Sequence, residues 1–171
     1  ADSAVAQAWT AVEQARALAK ETSAREQALI KAVATRYAQE PVKDRSALDQ
    51  AYAEAMRGVA QQFPDDHVIL GLLAEALMDL HPWDFWTKDG NAQPWTPEIV
   101  MTLERVLDLN PNFPLGHHLY IHALEASPHP EKALSSAARL PALVSGSGHL
   151  VHMPAHIYIR IGWYRDALVA N

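Results

Sequence analysis

The sequence predicts an all-α fold in which antiparallel helix pairs stack into a right-handed solenoid. Apolar residues recur at helical spacing through most of the 171 residues, and no segment has the two-residue alternation of a β-strand. Glycine or proline separates most of the helical segments. A third observation, an internal repeat of 34 residues in the C-terminal part, has the period typical of repeated helix pairs.

The repeat is found by sliding the C-terminal part of the chain against itself. An offset of 34 residues aligns His118 with His152, His122 with His156, Ala133 with Ala167, and Leu134 with Leu168. A single helix pair cannot bury its apolar face alone, so such repeats stack on their neighbours. The repeat therefore predicts the fold class, and it places two histidine pairs at equivalent positions.

Four helices are predicted before residue 81, over about 3–19, 23–39, 45–62 and 66–80. Ser23 and Glu26 have the spacing of a capping box that opens the second helix, and Pro41 is expected to stop it. Asp65 or Asp66 is the expected N-cap of the fourth.

A long loop is predicted over residues 81–96, because its prolines, glycine and tryptophans cannot continue a helix. Its aromatic side chains are expected to anchor it to the body, with a ligand platform as the alternative. The next helix begins at Thr96 and ends near 110, followed by helices at about 113–126, 130–143, 150–161 and from 164 onward. Pro154 is tolerated only in a first turn, so His149 is expected in the preceding loop.

Composition excludes several classes of function. Acidic residues outnumber basic ones by 20 to 14, which gives a net charge of −6 and disfavours a nucleic-acid partner. The absence of cysteine excludes disulfides and thiolate metal sites. No apolar run is long enough to span a membrane, so a soluble protein of the cytoplasm or the periplasm is expected. The chain is expected to be a single domain over 1–171 and a fragment of a longer protein, because it lacks an initial methionine and ends inside a predicted helix.

Two short motifs are the segment LERVLDLNP, from Leu103 to Pro111, and the segment GWYRDA, from Gly162 to Ala167. The first resembles the second helix and closing proline of a tetratricopeptide repeat, and the second resembles the turn between the two helices of such a repeat. More narrowly, the strings HPWDFW, HHLYIHALEASPHPEKAL and GHLVHMPAHIYIRIGWY resemble a group of bacterial tetratricopeptide-repeat proteins of undefined activity. The resemblance implies a binding or interaction module for a protein or peptide partner.

The resemblance also implies which side chains line the concave groove. Positions 2, 5, 9 and 12 of the first helix line it in the family, and the register assigns these positions to His149, His118 and His152, His122 and His156, and Glu125. A similar register for the helix over 66–80 adds Glu75. Asp84, in the loop, is a further candidate that either caps a turn or points into the groove.

The histidines form the strongest candidate site, since seven of the nine lie between residues 117 and 156. His118, His122 and Glu125 share one helix face, and imidazoles four residues apart can chelate one ion. A site of His118, His122, His152 and His156, with Glu75, Asp84 or Glu125 as carboxylate, suits zinc, iron, nickel or copper. His117 should point away from His118, toward solvent or another helix.

Three interpretations of these histidines remain open, namely a metal site, a metal-free polar groove, and structural histidines alone. The favoured function is a non-catalytic binding module for a peptide, a small ligand or a metal ion. The rival is a metal-dependent enzyme, hydrolytic in type, that uses the same residues. A scaffold for protein assembly is the third function. Common enzyme motifs such as G-x-S-x-G, the P-loop and H-E-x-x-H do not occur.

Overall fold

The structure is a computed structural model that describes residues 2–171. Within that range the regular elements are helical, and the one β-type pairing is an isolated bridge between Trp86 and Ala92. None of the described helices is both long and apolar enough to cross a membrane. Contacts divide the chain into two compact units, one ending at Leu80 and one from His81 to Asn171. The single domain expected from the sequence stays a prediction.

The first unit contains four α-helices. They are α1 (Asp2–Leu18), α2 (Ala24–Ala34), α3 (Ser46–Gln62) and α4 (His67–Asp79), with a 3-10 turn at Ala19–Glu21 after α1. The predicted capping box is present, because Ser23 and Glu26 exchange side-chain and backbone hydrogen bonds. The predicted end of α2 near 39 is wrong. At its end the backbone hydrogen bonds join residues three apart in sequence, and the Thr35 hydroxyl donates to the carbonyl of Ala32.

Asp66 starts α4, as the sequence predicts. Its carboxylate accepts hydrogen bonds from the backbone N–H groups of Val68 at 3.0 Å and Ile69 at 3.1 Å. The same carboxylate pairs with Arg25 of α2. The hydrogen bond from Arg25 is the main reason that the pKa of Asp66 falls to about 2. Asp66 therefore both caps α4 and ties it to α2.

The second unit contains six α-helices and carries the histidines. They are α5 (Thr96–Leu109), α6 (Pro114–Leu124), α7 (Leu134–Leu143), α8 (Gly148–His152), α9 (Pro154–Arg160) and α10 (Tyr164–Ala170), and a 3-10 turn at Pro130–Ala133 precedes α7. The prediction of one helix over 150–161 is wrong, and so is the loop position of His149. Pro154 lacks an N–H and begins a separate helix, so the preceding residues form α8.

The core of the second unit fixes the helices that carry the histidines. Ile121 of α6, Leu140 of α7, and Met153 and Ile157 beside and within α9 are fully buried. The repeated alanines, Ala133 and Ala167, are also buried, and Ala133 is completely so. Small residues at these positions allow neighbouring helices to approach closely. One face of α6 and one face of α9 therefore lie in the core, and His118, His122 and His156 lie on the parts of these helices that remain partly exposed.

The loop over 81–96 is fastened to the second unit by its aromatic residues. Phe85 is buried, and the indole N–H of Trp86 donates to the backbone carbonyl of Ala123 on α6 at 2.7 Å. The indole N–H of Trp95 donates to the carbonyl of Asp84 at 2.7 Å, within the loop itself. These contacts agree with an anchoring role for Phe85 and Trp86.

Candidate functional site

The candidate site is a group of five histidines and one glutamate in the second unit, here called the histidine cluster. His118 and His122 lie on α6 and Glu125 lies directly after it, while His149 and His152 lie on α8 and His156 on α9. The two histidines of α6 are one turn apart, with ring centroids 4.8 Å apart. The structure thus brings together six of the eight side chains that the sequence suggests.

Glu125 joins the two halves of the cluster. Its Oε1 lies 3.0 Å from Nδ1 of His122, and its Oε2 is in a short contact with Nδ1 of His156. The glutamate side chain is only 13% exposed, so these contacts have little competition from water. One carboxylate therefore bridges α6 and α9 through two imidazoles.

The charge of Glu125 determines which nitrogen of each bridged imidazole carries a proton. Burial raises the pKa of Glu125, but hydrogen bonds with His122 and His156 outweigh burial and hold its pKa below the ordinary value. An ionised carboxylate only accepts hydrogen bonds, so both Nδ1 atoms must donate. In each neutral ring, Nε2 then carries no hydrogen and has a free lone pair. A metal ion requires an imidazole nitrogen of this kind.

His118 and His149 form a second contact between the helices. Their Nε2 atoms lie 3.0 Å apart, and their ring centroids lie 5.0 Å apart. Burial lowers the pKa of His118 to about 4, helped by the neighbouring His122, His149 and His156. His118 is therefore neutral at pH 7 and keeps a lone pair for a cation.

His152 and His156 form a third contact, between the end of α8 and the first turns of α9. Their Nε2 atoms lie 3.1 Å apart and their ring planes are nearly perpendicular, at 81°. The hydrogen bond between these Nε2 atoms requires a hydrogen on Nε2 of one of the two rings.

Two groups of three side chains bring their candidate metal-ligating atoms within 4.8 Å of one another in the described part of the chain. The first group is His118, His122 and His149. The second group is His122, Glu125 and His156. These three side chains lie close together because Glu125 is hydrogen-bonded to both histidines. The first group is thus better suited to hold an ion, and Glu125 to orient its ligands.

The other two predicted site residues are not among the six members of the histidine cluster. Asp84 is exposed, and its carboxylate accepts a hydrogen bond from the side-chain amide of Gln93 at 2.7 Å. Glu75 belongs to α4 of the first unit and is half-buried, and burial, followed by the charge of Asp79, raises its pKa. Their roles as ligands stay predictions.

Trp83 contacts the cluster, which the sequence did not indicate. Its ring meets the ring of His122 edge to face with centroids 5.1 Å apart, yet 72% of the residue is exposed. Its φ of 63° is uncommon for a residue other than glycine. Trp83 lies in a loop, so neither helical spacing nor the 34-residue repeat relates it to α6. Only its position among the aromatic residues of the loop could have suggested its contact with His122.

His117 has a structural role, in contrast to its neighbour. It is buried, with Nδ1 2.9 Å from the Ser136 hydroxyl and Nε2 2.9 Å from the carbonyl of Pro111. Burial, as the first cause, lowers its pKa. Both ring nitrogens of His117 are therefore occupied, one by a hydrogen bond to α7 and one by a hydrogen bond to the turn between α5 and α6, in the inter-helical position that the sequence allowed.

Comparisons with known proteins support the fold. No model of a known protein family matches the chain, and no curated protein matches it either. A solved structure of MamA, "MamA MSR-1 C2", superposes with a TM-score of 0.62 over 97% of this chain and 87% of that one, at 16% sequence identity. This likeness confirms the predicted all-α helical-repeat fold of tetratricopeptide type, and at that identity it shows the fold alone.

Proposed function

We propose that this chain is a helical-repeat binding module whose histidine cluster holds a divalent transition-metal ion on Nε2 of His118, His122 and His149. The observation that carries the proposal is the convergence of three imidazoles from α6 and α8, with ligand atoms within 4.8 Å of one another. Imidazole ligands suit zinc, copper, nickel and iron. The ligands therefore define the class of metal ion that the site would hold.

The distances within this group support coordination. Two nitrogens that each lie about 2.0–2.1 Å from a tetrahedral zinc ion are about 3.3 Å from each other. The Nε2 atoms of His118 and His149 are 3.0 Å apart, close to that value. His122 completes the group, since its candidate ligand atom lies within 4.8 Å of those of the other two histidines, and its Nδ1–H bond to Glu125 directs Nε2 away from the carboxylate.

Protonation also supports coordination. Metal ligands must be neutral imidazoles, and the lowered pKa of His118 keeps this ring neutral even in mildly acidic solution. The arrangement of Glu125, His122 and the ion would be a carboxylate–histidine–metal triad, in which the carboxylate fixes the tautomer and the orientation of the ligand.

A three-histidine site leaves a coordination position for water or for a group of a partner. His149 is exposed, so that position is open to solvent. Helical repeats of this type stack into extended surfaces that bind proteins and peptides. The fold therefore supports a protein or peptide partner, and a carboxylate or imidazole of that partner has the right chemistry for the open position.

Calorimetric titration of the untagged protein with Zn²⁺ tests the proposal. Wild type should bind zinc, and His118→Ala, His122→Ala and His149→Ala should each weaken binding by at least about tenfold, because even outer-shell partners of a metal contribute about 10–100-fold. His129→Ala is the matched control, since His129 is exposed and pairs with Glu131 outside the cluster.

Two results would contradict the proposal. The first is the absence of zinc binding by wild type, after nickel and copper have also been offered. The second is binding that the three cluster variants and His129→Ala weaken equally, because that pattern is typical of adventitious surface binding.

A further inference from the structure

We infer that His152 and His156 form a second ion-binding pair, separate from the group of His118, His122 and His149. The inference rests on the metal-binding function proposed above and extends it from one ion to two. The expected ligand is again a divalent transition-metal ion, held by two imidazole nitrogens with water or an anion in the remaining positions.

The geometry of the pair is that of a chelate. The two histidines are four residues apart, with Nε2 atoms 3.1 Å apart and ring centroids 4.9 Å apart. Adjacent nitrogen ligands of one tetrahedral ion are about 3.3 Å apart, so little movement is needed to bind one. The pair thus already has the spacing that an ion requires.

The segment between the two histidines is packed into the core. Met153, Pro154 and Ala155, which separate the two histidines, are all buried, and so is Ile157 after them. The break between α8 and α9 therefore sits in the core and not in solvent. Both rings project from this fixed segment, which lowers the entropic cost of chelation.

Glu125 prepares His156 for metal binding just as it prepares His122. The Nδ1–H group of His156 donates to Oε2 of Glu125, which leaves Nε2 facing His152. One carboxylate thus orients one histidine of each site. Its negative charge also lies between the two positions and offsets part of the repulsion between two bound cations.

The pair opens into a surface depression of its own. Tyr164 and Asn171 line the depression together with both histidines, and Ala155 and Leu168 add apolar contacts. None of these four residues belongs to the first group of ligands. With two protein ligands in place of three, the second ion should bind more weakly and exchange faster than the first.

Equilibrium dialysis of the untagged protein against Ni²⁺ at neutral pH, followed by elemental analysis, tests the inference. Wild type should bind two nickel ions per chain, one tightly and one more weakly. His152→Ala should lose only the weaker ion, His149→Ala should lose or weaken only the tighter one, and His129→Ala should keep both. Far-ultraviolet circular dichroism of each variant verifies that it is folded.

Four contrary results are possible, and they differ in which of the two sites they exclude. One bound ion that His152→Ala leaves unchanged overturns the second site and preserves the first. One bound ion that His152→Ala and His149→Ala both weaken about tenfold or more means that a single ion uses both groups, which also overturns the inference. An ion that only His152→Ala removes overturns the first site instead, and no bound nickel overturns both.

Discussion

Replacement of Glu125 by glutamine is the most informative change, because it keeps the size of the side chain and alters only its hydrogen-bonding capacity. The carboxylate accepts from Nδ1 of His122 at 3.0 Å and from Nδ1 of His156. An amide has one accepting oxygen and one donating nitrogen. Whichever way the glutamine is turned, one of the two imidazoles faces a donor and must change its tautomer.

The size of the effect follows from this mismatch. An imidazole that accepts at Nδ1 carries its hydrogen on Nε2, so that nitrogen no longer offers a lone pair to an ion. Loss of an outer-shell partner costs about 10–100-fold in metal affinity, which corresponds to about 1.4–2.7 kcal/mol. Glu125→Gln should therefore weaken at least one of the two sites by that factor, according to which ring is affected.

Two measurements would establish this effect. Long-range ¹H–¹⁵N spectra of the metal-free protein should show His122 and His156 both with a hydrogen on Nδ1 in wild type, and one of them changed in Glu125→Gln. Nickel titration should show the loss of affinity. Glu131→Gln is the matched control, because Glu131 pairs with His129 at 3.1 Å on the exposed surface. Wild-type tautomers and affinity in Glu125→Gln would refute the orienting role.

Three further predictions concern stability and are checked by urea unfolding. Asp66→Ala should cost about 1–2 kcal/mol, through loss of a helix cap and an ion pair. Since the pKa of Asp66 is lowered from 3.8 to about 2, this contribution is complete above about pH 4 and is lost as the pH falls through 2, where variant and wild type should converge. Gly116→Ala should destabilise by about 1–3 kcal/mol, because its Cβ would lie 2.8 Å from the buried Val106. Trp86→Phe should cost about 1–3 kcal/mol, since the carbonyl of Ala123 loses its indole donor. Unchanged unfolding midpoints in these variants would contradict the respective packing and capping roles.

The fold could be predicted from the sequence because its determinants are local and periodic. Asp66 and the Ser23–Glu26 pair act within one turn of their helices, so their spacing alone identifies them. The errors occur where backbone geometry competes with periodicity. Pro154 lies inside the segment predicted as one helix over 150–161, but it has no N–H to donate. It therefore begins α9, and the residues before it, His149 among them, form α8.

Most members of the histidine cluster could be predicted to lie near one another, but the contacts between them could not. Helical spacing and the repeat identify His118, His122 and Glu125 as one face of α6. The contact between Glu125 and His156 depends on how α6 and α9 pack, and the contact of Trp83 depends on the path of a loop with a positive φ. Such contacts arise from tertiary packing, and no spacing in the sequence encodes them.

A crystal structure of the zinc-loaded, untagged protein with anomalous diffraction at the zinc edge is the decisive test of the proposed three-histidine site. We expect a zinc peak about 2.0–2.1 Å from Nε2 of His118, His122 and His149, with Glu125 still hydrogen-bonded to Nδ1 of His122. A zinc ion bound directly by Glu125 in place of these nitrogens, or zinc found only outside the histidine cluster, would contradict it.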